Sequence, residues 1–174
     1  CDVIVHLAAM NRHPDPEAIY QTNIDLVHKL IRSLENTNSQ AHILFSSSSQ
    51  EAKDNLYGKS KKEGRELLIN WAEKAGGKFT GLIIPNVFGP FGQPNYNSFI
   101  ATFCYKLTHG ETPHIDNDGQ VNLIYVNELV AAIIDQIKAE KSNYFYEVPY
   151  TSTNTVSKVL ALLNNYKTKY FDGG

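Results

Sequence analysis

The sequence predicts an α/β fold built on a parallel sheet covered on both faces. Three observations carry that expectation. Short aliphatic runs of strand length recur along the chain, amphipathic helical segments separate them, and the runs are apolar at consecutive positions, as strands buried on both sides require. No internal repeat, charge run or low-complexity linker interrupts the alternation.

The first strand is Asp2-Val3-Ile4-Val5-His6-Leu7-Ala8-Ala9. Pro14-Asp15-Pro16 opens a helix whose inward face is Ile24, Val27, Leu30, Ile31 and Leu34 at helical spacing. After a polar turn at 36–40, His42-Ile43-Leu44-Phe45 forms a second buried strand that ends in Ser46-Ser47-Ser48-Ser49. A long helix follows from about Asn55 to Ala75, turning Leu67, Leu68 and Trp71 inward, and Gly76-Gly77 stops it. Thr80-Gly81-Leu82-Ile83-Ile84 is the third strand, closed by Pro85. Ser98 caps a helix through Phe99, Phe103 and Leu107, ended by Gly110. Val121 to Val126 reads as a strand, with Asn127 capping the helix that carries Val130, Ile133, Ile134 and Ile137. Tyr144 to Val148 and a helix around Val156, Leu160 and Leu163 complete the pattern.

Composition narrows the function. The 174 residues are 42% hydrophobic, enough for one sizeable core. Lys and Arg number 16 against 18 Asp and Glu, a net charge of −2, so the electrostatic footprint of a nucleic-acid partner is missing. The apolar runs fall far short of the ~20 residues of a membrane span. Two cysteines, Cys1 and Cys104, make neither a disulfide framework nor a metal spacing, and the six histidines are scattered, so no metal is expected. The opening directly into a buried strand reads as a fragment of a longer protein.

The chemistry concentrates at Tyr57-Gly58-Lys59-Ser60-Lys61, just beyond the serine cluster at a strand end. Tyr57 and Lys61 are four apart and share one face of a helix. A phenol with a pKa near 10 is a poor proton donor or acceptor at neutral pH, and a neighbouring ammonium favours its phenolate. A strand-end serine hydroxyl beside them orients a carbonyl or alcohol oxygen. The three groups suit proton transfer coupled to hydride transfer at a carbon–oxygen bond. Ligands of doubly wound sheets sit at these strand ends. A serine hydrolase fits poorly, because no G-x-S-x-G elbow is present.

Four blocks in order, residues 2–9, Phe45 to Ser48, Tyr57-x-x-x-Lys61 and Pro85-Asn86-Val87-Phe88-Gly89-Pro90, resemble the extended short-chain dehydrogenase/reductases, the NAD-dependent epimerase/dehydratase family. The likeness spans roughly residues 2–135. It implies a Rossmann-like doubly wound parallel sheet lacking its N-terminal βα units in this chain, with residues 1–174 forming one incomplete domain. Of these, 1–135 would be the catalytic core and 136–174 a substrate-side C-terminal part. The Gly-rich dinucleotide loop is expected upstream, in roughly sixty residues.

Carried over by position, the resemblance implies Tyr57 as the acid/base, Lys61 as the group that holds the nicotinamide ribose, and Ser48 as the hydroxyl on the reacting oxygen. Leu7, Ala8, Ala9, Asn23 and Pro85 would contact the cofactor, NADPH or NADH. Asn86, Asn95, Tyr96 and Asn97 would line the sugar-nucleotide pocket. An arginine common three residues before the Asn86 position is replaced by Ile83. Ser49-Gln50 stands where 4,6-dehydratases carry Asp-Glu, which disfavours dehydration. Stretches such as His6 to Arg12, Asp54 to Gly58, Pro94 to Ser98 and Ala101 to Tyr105 are similar to reductases of capsular-polysaccharide synthesis. The resemblance therefore implies a cytoplasmic, homodimeric reductase of a UDP-4-keto-6-deoxyhexose, with no nucleic-acid or membrane partner. A 4-epimerase shares the same Ser/Tyr/Lys set and is the alternative, beside a non-catalytic remnant serving as a binding module.

Overall fold

The structure is a computed structural model that describes residues 1–173. The chain divides into two compact units, each assembled from two stretches of sequence. The first comprises Cys1–Ile84 with Val130–Val148, and the second Pro85–Leu129 with Pro149 onward.

The first unit holds a four-stranded parallel sheet in the order β1 (Val3–His6), β2 (His42–Ser48), β3 (Lys78–Ile84), β6 (Asn143–Glu147). Parallel neighbours need crossovers, and two long helices provide them: α1 (Pro16–Asn36) and α2 (Leu56–Ala75). α1 starts where Pro16 follows the Asp15 cap, whose carboxylate accepts from Glu17 N–H. α2 stops at Gly76, which adopts the left-handed conformation that a Cβ would oppose. Val27, Leu34, Ile43, Phe45, Leu68, Trp71 and Phe79 form one buried cluster between these helices and the sheet. Leu44 and Leu82, at the alternate strand positions, are fully buried too. The central strands β2 and β3 are therefore dry on both sides, as their consecutive apolar runs require, and the fold is the expected Rossmann-like α/β sheet.

The second unit carries a three-stranded sheet, β4 (Asn86–Phe88), β5 (Gln120–Tyr125) and β7 (Ser152–Thr155), with β4 parallel and β7 antiparallel to β5. It also holds α3 (Phe99–Thr108), α5 (Val156–Tyr166) and a terminal π turn (Lys167–Phe171). Ser98 caps α3 as its sequence position suggests, its Oγ accepting from Ala101 N–H. Among the described residues no helix is long and apolar enough to cross a membrane.

Three local expectations differ. α4 (Val126–Lys138) begins before Asn127, and it is Glu128 that reaches back to accept from Tyr125 N–H, the carboxylate half of a capping box. The stripe of α4 is only partly covered, with Val130 and Ile134 exposed. β1 is shorter than its apolar run, and Val5 on it and Leu7 just beyond it are exposed.

Buried His42 gives this fold a pH signature. Its Nε2 pairs with the Thr80 hydroxyl at 2.8 Å, and burial, then the Lys78 charge, push its pKa below the ordinary value. His6 is lowered likewise, by burial and then by Lys61. Both groups bind protons more tightly when unfolded. Stability is thus complete above the unfolded value of about 6.5 and declines as pH falls below it. Urea unfolding from pH 7.5 down to 5 is expected to show this decline, with a shallower slope in His42→Gln.

Candidate active site

Lys61 is 2% exposed, although an ammonium group is among the most costly to bury. Its Nζ lies 4.7 Å from the Phe45 ring centroid and 5.9 Å from that of Tyr57. Aromatic faces attract a desolvated cation and offset part of that cost. His6 stacks on Phe45 with centroids 5.7 Å apart, so β1, β2 and α2 meet at this point. Burial lowers the Lys61 pKa to about 8, against the pull of the Glu51 carboxylate, which raises it.

Ser48 closes β2 at its C-terminal end and caps the short 3-10 turn of Ser49–Ala52. Its Oγ accepts from Gln50 N–H at 3.2 Å, and its O–H is a donor. Asn55 caps α2, with Oδ1 accepting from Gly58 N–H at 2.7 Å. Gly58 is obligatory there, since a Cβ would run into the Gln50 carbonyl. The turn thus lies directly on the first turn of α2, which carries Tyr57.

A second tie fixes the segment after β1. Asn23 is buried on α1 and accepts from Met10 N–H at 2.7 Å, while its amide donates to Met10 O (3.2 Å) and Ser60 Oγ (3.0 Å). Ser60 in turn donates to Tyr57 O at 2.7 Å. The loop through Leu7, Ala8 and Ala9 is therefore held against the helix of Tyr57 through Asn23. Leu7 is 60% exposed and Ala8 is exposed beside it, leaving a small-residue apolar shelf at the C-terminal end of β1. An exposed apolar surface at a strand's C-terminal end is the kind of place where doubly wound sheets take a flat ring.

The sequence-derived residues divide between the two units. Leu7, Ala8, Ala9, Asn23, Ser48, Tyr57 and Lys61 lie in the first. Pro85, Asn86, Asn95, Tyr96 and Asn97 lie in the second. Asn86 opens β4 and donates to Asn122 O at 3.4 Å. Asn95 is in the left-handed region, with its N–H on Thr102 Oγ1 at 2.9 Å, and Tyr96 and Asn97 lead into the α3 cap.

Sequence reasoning missed Glu51 and Arg65. They form a two-pronged ion pair, with Arg65 Nη2 2.9 Å from Oε2 and Nε 3.0 Å from Oε1. Ser47 Oγ donates to the same carboxylate. Fourteen residues separate the pair, so neither helical spacing nor any motif could have joined them.

Comparison with known proteins identifies the family of the chain. Residues 1–148 match the model of the NAD dependent epimerase/dehydratase family. A curated relative, the UDP-2-acetamido-2,6-beta-L-arabino-hexul-4-ose reductase of Pseudomonas aeruginosa, is 33% identical over 143 residues, which is 82% of this chain and 38% of that protein. Among solved structures, the capsular polysaccharide assembling protein CapF from Staphylococcus aureus superposes with a TM-score of 0.83 at 34% identity, over 99% of this chain and 47% of that one. A UDP-N-acetylglucosamine 4-epimerase from Methanobrevibacter ruminantium, in complex with UDP-N-acetylmuramic acid, gives 0.84 at 26% identity, over 96% and 61%. The chain spans about half the length of the CapF structure and less than half of the curated relative.

The buried ammonium gives a testable alkaline signature. Its folded pKa of about 8 lies below the unfolded value of about 10.4, so between them the unfolded chain binds more protons and stability rises with pH. Denaturation at pH 7 and pH 9.5 is expected to show this gain in the parent and its loss in Lys61→Met.

Proposed function

We propose, for a chain that belongs to the NAD-dependent epimerase/dehydratase family, that it is part of a nucleotide-sugar reductase acting on a UDP-4-keto-6-deoxyhexose. The observation that carries this reading is the buried Lys61 ammonium 5.9 Å from the Tyr57 ring, on the helix that follows the strand-end Ser48. Similarity to the curated UDP-sugar reductase and to CapF supports reduction, in the setting of capsule or surface polysaccharide synthesis.

A bound nicotinamide cofactor, NADPH or NADH, supplies the hydride. The chain's own residues handle the proton and the geometry. Ser48 Oγ is oriented by accepting from Gln50 N–H, and its O–H donates to the substrate's C-4 carbonyl oxygen. Tyr57 gives its phenolic proton to the same oxygen as negative charge develops there. Lys61, held charged nearby, stabilises the phenolate left behind, and that interaction strengthens only as the proton moves. Its ammonium would also hold the cofactor ribose. Leu7, Ala8 and Ala9 form the shelf beneath the cofactor, which Asn23 holds in place through Met10. Pro85 is assigned to the nicotinamide side, and Asn86, Asn95, Tyr96 and Asn97 to the sugar nucleotide. The same family resemblance extends the proposal to a cytoplasmic homodimer.

Dehydration is disfavoured on a structural ground as well. Glu51 is the carboxylate nearest in sequence to the Ser49-Gln50 positions, and Arg65 and Ser47 occupy its oxygens. It is not available to expel water from a sugar.

Exchange of Tyr57 for Phe in the whole natural polypeptide is expected to lower kcat by about 10²–10⁴-fold, with cofactor affinity nearly unchanged. Cofactor oxidation with a UDP-4-keto-6-deoxyhexose measures the first and fluorescence titration the second. Full turnover in the variant would end the proposal.

A further inference from the structure

Gly64 sits in the interior of α2, where glycine weakens a helix, and two close approaches account for it. A Cβ there would come within 3.1 Å of Val27 Cγ2 and 3.2 Å of Phe45 Cζ, tighter than ordinary contact. The absent side chain leaves room for the tip of the Phe45 ring, and Phe45 is buried. Gly64 follows Lys61 by three residues, so the two stand on one face of α2. The ring that enters beside Gly64 therefore meets the Lys61 side chain.

Strand pairing steadies the same ring from β1. His6 and Phe45 are register partners, and their rings stack with 14° between the planes. The Phe45 ring is thus fixed at its tip by α2 and Val27, and along its face by the imidazole. Lys61 Nζ stands over it at 4.7 Å from the centroid, nearer than the 5.9 Å to the Tyr57 ring. A ring face attracts a cation within about 6 Å, most strongly where water is excluded, as it is here. Tyr57 is the phenol assigned to the reaction, so its ring changes charge as the proton moves. Phe45 presents the same face before and after.

Three titratable groups also bear on Lys61. They are His6 on β1, Tyr57 on its own helix, and Glu51 on the 3-10 turn, whose carboxylate raises the lysine pKa against burial.

We propose that Phe45 is a positioning residue, its ring the platform that keeps the buried Lys61 ammonium charged for proton transfer by Tyr57. The proposal rests on Tyr57 and Lys61 being the proton-transfer pair, and it adds the uncharged group that sustains the lysine's charge.

Ring fluorination tests this, because fluorine drains the negative face of the ring while barely changing its shape. In the whole natural polypeptide, Phe45 alone is replaced by phenylalanine carrying two or three ring fluorines. Lysine is labelled at 13Cε, the Lys61 resonance is assigned by its loss in Lys61→Met, and its titration midpoint is followed by NMR. Three fluorines are expected to lower that midpoint by about one pH unit, and two by less. The difluoro ring, substituted at Cε1 and Cε2, leaves Cζ bare towards Gly64 and carries the test if the trifluoro protein does not fold. The same fluorinated residue at Phe79, buried in the same core cluster, is expected to leave the midpoint in place. A midpoint unmoved by fluorination at position 45 overturns the proposal. So does an equal fall from position 79, which would mark a general loosening of the core. The readout needs no turnover, so failure to reduce a keto-sugar would defeat the functional reading and leave this result standing.

Discussion

Lys61 places a full positive charge where water hardly reaches, and much of the first unit is organised around tolerating it. A buried ammonium costs several kcal/mol unless aromatic faces, counter-charges or hydrogen bonds offset the loss of water. Phe45 from β2 and Tyr57 from α2 present their rings to it, and the Glu51 carboxylate pulls its pKa back upward against burial. The same low dielectric makes the charge effective, because an ammonium stabilises a developing phenolate far more strongly there than in water. On the proposed mechanism, stability is given up at the point where the chemistry gains from it.

Parallel strands fix where this happens. β1, β2 and β3 run side by side in register, so the end of β1 and the serines at the end of β2 emerge at one edge of the sheet. α1 and α2 return the chain across it, and Asn23 and Ser60 link the loop after β1 to the backbone of Tyr57. A shift of either helix would move the shelf and the phenol together, which preserves their relation. Close packing of Val27, Phe45, Leu68 and Trp71 resists such a shift.

The parts legible in sequence were those written locally. Consecutive apolar residues marked β2 and β3, the 3.6-residue period marked α1 and α2, and Tyr57 and Lys61 stood at a spacing that places them on one helical face. What was not legible depended on tertiary contact. β4 and β7 are three and four residues long, too short for a pattern to emerge. Glu51, in a polar stretch, reads as a solvated charge until Arg65 arrives from the next helix. Val5 and Leu7 are as apolar as the residues of β2, yet they are exposed. Nothing in a strand's own composition reports how many neighbours it will have.

Isotope transfer tests the functional account most directly. The whole polypeptide is given a nicotinamide cofactor deuterated at its transferable position, together with a UDP-4-keto-6-deoxyhexose. The account predicts a product carrying one deuterium at C-4 for every cofactor oxidised. Sugar recovered with its C-4 configuration exchanged and no net oxidation of cofactor would contradict it.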